Sequence, residues 1–391
     1  MLGHFRGDDL PLMHEMLARF ERQHGIATTY EGVEQVAQRL QERVESGVTP
    51  DVILLPVPGW LDALAEGGAI VPLAENGARA VETHFGPAWT DLVTYDGRIY
   101  GVPFNAEAKS LLWYRPSVLD ELGATPPQSF EELAQIAAAR ATEGKAAFAL
   151  PGQIGWTLTD AFENVLLATA GPEVYDALIT HQIAWTDPRV ERAAQRFVAL
   201  LRDEWLMGGT EGMLAMPLWS ESFAEALTPD EPAAAFWLGP DSVIAGSGLV
   251  EGEDFELAAF PTGGIVMGVG SVLVATNDAP ETMALLAYLA QPEAIEPWVR
   301  AGAFISPNQS IAPEAYPTRR ARREAELLAA ASSFRYDLSD QLPPNLKDTF
   351  LPDQLAQMLR QPDQLPAILA GIERVATREQ GAPPERSAAA P

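Results

Sequence analysis

The chain of 391 residues contains no cysteine, which excludes disulfide scaffolds, thiolate metal sites and cysteine nucleophiles. The compartment stays open on that count, since a large exported protein with a good core needs no crosslinks. Histidine is scarce as well: His4, His14, His24, His84 and His181 stand apart, without the His-x-x-x-His or His-Glu-x-x-His spacing of a zinc site. Basic residues are outnumbered, 26 Lys and Arg against 54 Asp and Glu, for a net charge of −28. A chain this acidic is poorly suited to gripping nucleic acid or an anionic bilayer through general electrostatics. No run of about 18 apolar residues occurs, so nothing reads as a membrane span. The opening Met1-Leu2-Gly3-His4-Phe5-Arg6 is too short and polar for a signal peptide.

What is present suffices for a core. Apolar residues make up 47% and charged residues 20%, which excludes a wholly disordered chain. The length predicts two domains at roughly 100–200 residues each. Apolar residues at Leu10, Met13, Leu17 and Phe20 predict a helix over 9–24, stopped by Gly25. A strand is expected at 26–30, a helix at 34–45, a buried strand at 50–55 and a helix at 60–66. This order argues for an α/β domain with a mostly parallel sheet. Residues 96–103 read as a hairpin turn feeding an extended segment, and Ser110-Leu111-Leu112-Trp113-Tyr114 as a strand. Ser129 is the expected N-cap of the next helix, with Glu132 at the capping-box position. The stretch 110–260 reads as mostly helical, 255–276 as β-rich, 279–290 as a helix, and 316–375 as helices parted by prolines. The basic run Arg319-Arg320-Ala321-Arg322-Arg323 reads as a solvated helix end, and 381–391 as an unstructured tail.

Several motifs fall in a characteristic order: Phe5-Arg6-Gly7-Asp8-Asp9, Thr49-Pro50-Asp51-Val52, Pro58-Gly59, Asp96-Gly97-Arg98-Ile99-Tyr100-Gly101-Val102-Pro103 and Lys109-Ser110. Together they resemble the N-terminal half of the extracellular solute-binding proteins of carbohydrate ABC importers, the maltose-binding-protein-like group. Gly155-Trp156-Thr157-Leu158-Thr159-Asp160, Gly171-Pro172-Glu173-Val174-Tyr175-Asp176 and Thr186-Asp187-Pro188-Arg189-Val190 are similar to the α-glucoside-binding branch. The resemblance continues through Phe304-Ile305-Ser306-Pro307-Asn308 and Phe334-Arg335-Tyr336-Asp337-Leu338-Ser339-Asp340, and so covers about residues 5–375. Where the branch usually carries a second aromatic beside Asp160, this chain has Ala161 followed by Phe162.

The resemblance implies an α/β, two-lobed periplasmic-binding-protein-like (type II) fold with a hinge and an interlobe ligand cleft. It assigns 1–109 plus 262–310 to the N-terminal lobe and 110–261 plus 311–380 to the C-terminal lobe. The implied function is capture of an α-glucoside or small oligosaccharide by hinge closure and delivery to ABC permease subunits. A monomer in the periplasm, or anchored outside the membrane, is implied, with its leader absent from this chain. No nucleic acid, cofactor or metal is called for. The competing readings are a secreted glycoside hydrolase and a sugar-sensing binding protein without a transport role.

A sugar offers hydroxyls at its rim and a weakly apolar C–H face, so its site needs aromatic platforms and well-placed polar groups. Trp60, Trp156, Trp219 and Trp237 lie in Gly/Pro-flanked or loop-like surroundings and are the candidate platforms, whereas Trp113 and Trp298 read as core. Arg6, Asp8 and Asp9 follow the first strand and are implied ligand contacts, although either Asp could merely cap the helix. Asn105 and Lys109 sit where the chain leaves the first domain, with a solvated hinge as the alternative for Lys109. Asp160 and Glu163, spaced i, i+3, share a face if the segment is helical. Paired carboxylates also raise glycoside hydrolysis, but nothing marks one of them as a proton donor in a dry pocket. Gly268-Val269-Gly270-Ser271 lacks the Lys-Ser/Thr of a phosphate loop and reads as turn glycine admitting a ligand to the backbone, with Ser271 as contact. Asp337 and Asp340 could close over the sugar or cap a helix.

Overall fold

A computed structural model describes residues 1–56, 60–229, 231–347 and 349–384. The Pro58-Gly59 motif and the tail from 385 onward lie outside them. The chain forms two compact units, one of Met1–Ala108 with Gly268–Tyr336, the other of Lys109–Met267 with the chain from Asp337 onward. The expected boundary at 310 is therefore displaced. The helix Arg319–Ala330 and the strand Ser333–Tyr336 belong to the first unit, where buried Glu324 accepts the Ala108 N–H at 2.9 Å.

Among the described residues, six strands precede the first crossing: β1 (Leu2–Gly3), β2 (Glu31–Gly32), β3 (Val52–Leu55), β4 (Thr94–Tyr95), β5 (Arg98–Ile99) and β6 (Gly101–Ala108). Then come β7 (Leu111–Tyr114), β8 (Phe148–Ala149), β9 (Phe236–Trp237), β10 (Glu256–Ala259), β11 (Ile265–Ala275) and β12 (Ser333–Tyr336). The sheet of the first unit runs β12-β11-β3-β1-β2, with β6 also paired to β11. Here β1 is parallel to β2 and β3, but β11 is antiparallel to both β3 and β6. The expected mostly parallel sheet is thus mixed, because its long central strand arrives late in the chain. The expected strand at 26–30 is absent; only Glu31–Gly32 pairs.

Local signals behave as their chemistry requires. The first helix, Leu10–His24, buries Met13, Met16, Leu17 and Phe20 and ends at Gly25 with φ 69°. Asp96 (φ 47°) and Gly97 (φ 71°) make the two-residue turn of the β4–β5 hairpin. Ser129 accepts the Glu132 N–H at 3.2 Å, while Glu132 accepts the Gln128 N–H at 2.7 Å.

Gly268 and Gly270 are strand residues of β11, not turn residues. A Cβ there would sit 2.1 Å from the Glu107 carbonyl oxygen and 2.4 Å from that of Asn105, respectively. The close approach these glycines allow is therefore that of β6, which corrects the expectation that they admit a ligand.

The second unit is mainly helical between 110 and 260, with strands set among the helices. It holds a sheet of order β10-β7-β9-β8, whose two-residue members β8 and β9 are too short to signal themselves in sequence. Its core gathers Trp185, Phe162, Phe197, Phe148 and Phe236.

Candidate functional site

The polar centre of the second unit is built on the helix Trp156–Ala170. Gly155, at φ 80°, turns the chain from the 3-10 turn Gly152–Ile154 into this helix. Nearly every face is buried, and the helix packs against Pro188–Leu200 and Phe350–Arg360. Polar groups on such a helix need partners, because a buried unpaired one costs roughly 1–3 kcal/mol. Lys109 supplies one. Its ammonium donates to Asp337 Oδ2 at 2.6 Å and to Asp160 Oδ1 at 3.1 Å, and lies 5.0 Å from the Trp156 ring centroid. That last distance is within the range of a cation–π contact.

Asp337 is fixed from its other side. Its Oδ1 accepts the Ser339 hydroxyl at 2.6 Å and the Asp340 N–H at 3.0 Å, so the helix-capping alternative and the Lys109 contact hold together. Beneath lies Glu163, which accepts the Tyr175 hydroxyl at 2.5 Å and the N–H groups of Leu338 and Ser339 at 2.7 and 3.1 Å. Asn164 completes the layer, accepting the Ser110 hydroxyl at 2.5 Å and donating to the Lys109 carbonyl at 3.1 Å.

Two carboxyl groups thus share one ammonium, with Glu163 buried nearby, and the proton affinities of the three diverge. Burial alone would lower Lys109, but Asp160 and Asp337 hold it above the ordinary lysine value. Burial raises Asp160 well above the usual carboxylate range; Lys109 opposes this and Asp337 adds to it. Glu163 is also pushed well up by burial, then by the charges of Asp337 and Asp160. Burial would raise Asp337 too, yet Lys109, the Ser339 hydroxyl and the Asp340 N–H hold it below the usual range. Lys109–Asp337 is therefore the ion pair proper, and Asp160 is the more easily protonated neighbour. Beside them is a cavity of about 20 Å³ lined by Lys109, Thr157, Asp160, Asn164 and Phe260 among others. That is room for about one water. A sugar ring does not fit inside it.

The remaining predicted residues divide by unit. In the first, Arg6 is exposed and pairs with Glu34 at 3.7 Å. Asp8 is exposed and Asp9 half-buried in the 3-10 turn Gly7–Asp9. Asp9 stands at the N-cap of the following helix without a side-chain capping bond. His4 lies close by, half-buried, with Nδ1 lacking a partner; burial lowers its proton affinity, which Asp9 partly restores. Trp60 is exposed before the helix Leu61–Glu66. Asn105 accepts the Ser271 hydroxyl at 2.5 Å across the β6–β11 pairing, where a bulge follows Ser271.

In the second unit, Trp219 is 63% exposed. Trp237 is not. It is fully buried, edge-on to Phe223 at 5.5 Å and in register with Trp113, because the Gly/Pro context that suggested a loop encloses β9. The expected ligand contact at Trp237 is thus a core residue, like Trp113 and Trp298. Asp340 is exposed, and it is its backbone N–H that enters the Asp337 cap. The sequence-based candidates omit Asn164, and include Ser110 and Tyr175 only as members of motifs. The i, i+4 spacing of Asp160 and Asn164 was the available signal.

The chain matches the family described as bacterial extracellular solute-binding protein over residues 15–324. It is 33% identical over 356 residues to the osmoprotective compounds-binding protein GgtB of Synechocystis sp., spanning 88% of this chain and 84% of that protein. It is 28% identical over 364 residues to the alpha-glucosides-binding periplasmic protein AglE of Rhizobium meliloti, spanning 88% and 79%. In fold it is similar to the bacterial solute receptor AcbH, with a TM-score of 0.84 over 97% of each chain at 15% identity. The sugar-binding protein MalE of Xanthomonas citri superposes with a TM-score of 0.74 at 18% identity, over 97% and 96%.

Proposed function

Because the chain belongs to the bacterial extracellular solute-binding proteins, we propose that it is the binding component of an ABC importer for a neutral, hydroxyl-rich solute. An α-glucoside or small oligosaccharide is the favoured class. AglE, named for alpha-glucosides, supports that class, and GgtB adds osmoprotective compounds to the solutes to be tested. A relative named as an ABC transporter extracellular-binding protein supports permease subunits as the partner and a place of action outside the cytoplasm.

The observation that carries the chemistry is the half-buried Trp156, with Lys109 over its ring and Asp160 bonded to that ammonium. An indole for C–H faces, an acceptor and a donor within one cluster suit a polyhydroxylated guest. Arg6, Asp8, Asp9, Trp60, Asn105, Trp219, Ser271 and Asp340 are proposed as further contacts. Asp337 acts through Lys109.

The test is a thermal-shift screen of maltose, trehalose and sucrose, with mass spectrometry of any solute that copurifies. A solute at 100 times its Kd should stabilise the folded protein by about 2.7 kcal/mol. Binding without turnover is expected, so a chromogenic α-glucoside should release no chromophore. Light scattering should report a monomer, and small-angle scattering a more compact particle once solute is bound. Release of the chromophore, or no shift with any solute, would contradict the proposal.

A further inference from the structure

The chain enters or leaves the second unit at three places, between Ala108 and Lys109, Met267 and Gly268, and Tyr336 and Asp337. On the second-unit side, all three ends are tied to the helix Trp156–Ala170 by neighbouring polar side chains. At the first end, Asp160 holds the Lys109 ammonium, and Asn164 holds the Lys109 carbonyl and the Ser110 hydroxyl. That hydroxyl accepts the Met267 N–H at 2.8 Å, and the Met267 carbonyl accepts the Lys109 and Ser110 N–H groups at 2.8 and 3.1 Å, which ties in the second end. At the third, Glu163 takes the N–H groups of Leu338 and Ser339.

Residues 160, 163 and 164 fall on one helical face by spacing. Glu163 is completely buried and Asn164 is 4% exposed, in a helix whose other buried positions are mostly apolar. Carrying a carboxyl and an amide there is costly unless every polar atom is matched. Here the matches run to the three crossing ends.

We infer that Glu163 and Asn164 are positioning residues for solute binding. They fasten the three crossing ends into one block with the helix whose first turns carry Trp156 and Asp160. Neither touches the solute. The link from block to binding rests on the function proposed above, whereas the block itself does not.

Hydrogen–deuterium exchange on the solute-free full chain tests the block. Asn164→Ala should speed exchange at Leu338 and Ser339, whose bonds run to Glu163, by about tenfold, a 1.4 kcal/mol loss of protection. Glu163→Gln should do the same at Lys109, Ser110 and Met267. Should either variant fail to fold, Ser110→Ala and Tyr175→Phe trim one hydroxyl each from opposite ends of the network and carry the same expectation. Faster exchange confined to the amides bonded to the altered side chain would overturn the block. Calorimetry with maltose, trehalose and sucrose tests the positioning role: affinity should fall at least fivefold in Asn164→Ala and by less in Glu163→Gln, which retains an acceptor. Unchanged affinity with altered exchange overturns positioning alone. A wild type that binds none of the three sugars overturns the solute reading, and positioning with it, while exchange still decides the block.

Discussion

At Lys109, one ammonium faces two carboxyl groups in a setting where each of the three side chains is at most 17% exposed. Removing one partner of a buried pair leaves the other charge uncompensated, at a cost of roughly 3–5 kcal/mol. Lys109→Met should therefore destabilise the protein by about that much at pH 7.5 by denaturant unfolding. The penalty should shrink toward pH 5, where the orphaned Asp160 and Asp337 take up protons. Three signs are involved. Asp337, held low, contributes stability above its unfolded value and loses it as pH falls through the folded one. Asp160 and Glu163, held high, contribute fully below the ordinary carboxylate range and less as pH rises toward their folded values. Lys109, also held high, contributes until pH passes its raised value.

The tryptophans make a second pair of outcomes. Trp237→Ala should cost about 3–5 kcal/mol as a core truncation. Trp219→Ala, at an exposed site, should stay within about 0.5 kcal/mol of wild type while weakening solute binding. Sequence context did not separate the two tryptophans, because Gly239-Pro240 follow a buried two-residue strand in one case and Pro217 precedes an exposed helix N-cap in the other. Lys109, Asp160 and Asp337 were individually legible; that they meet was not, since 228 positions separate Lys109 from Asp337.

At the scale of elements, the long amphipathic helices and the β4–β5 turn could be read directly, because periodicity and positive-φ residues are local properties. The sheets could not. Pairing of β11 with β3 and β6 depends on partners far apart in the chain, and the strand Glu31–Gly32 is too short to carry a pattern. The glycines of β11 show what the pairing demands. Gly268→Ala would thrust a methyl group onto the Glu107 carbonyl, with the Phe334 ring 3.1 Å away. Overpacking of that kind costs typically 1–3 kcal/mol. Circular-dichroism melts should show a depressed midpoint for Gly268→Ala; an unchanged midpoint would mean that β6 and β11 are not packed this closely.

For the whole molecule, the acidic excess is the property most plainly written in composition. A net charge of −28 repels itself within each folded unit. Raising the salt from 0.02 to about 0.2 M shortens the screening length to below about 10 Å and should raise the melting temperature. A fall would point to ion pairs outweighing repulsion. The two-unit division could be expected from length and from family resemblance. Its third boundary could not, because it is set by where β12 and Glu324 attach to the first unit's sheet and strand end. The central claim, that the Trp156–Asp160–Lys109 cluster receives a neutral polyhydroxylated solute, is tested most directly by titration calorimetry on wild type, Trp156→Ala and Asp160→Asn against maltose, trehalose and sucrose. The account predicts saturable binding of at least one sugar by wild type and a loss of tenfold or more, about 1.4 kcal/mol, in each variant. Binding that both variants retain unchanged, or none by the folded wild type, would contradict it.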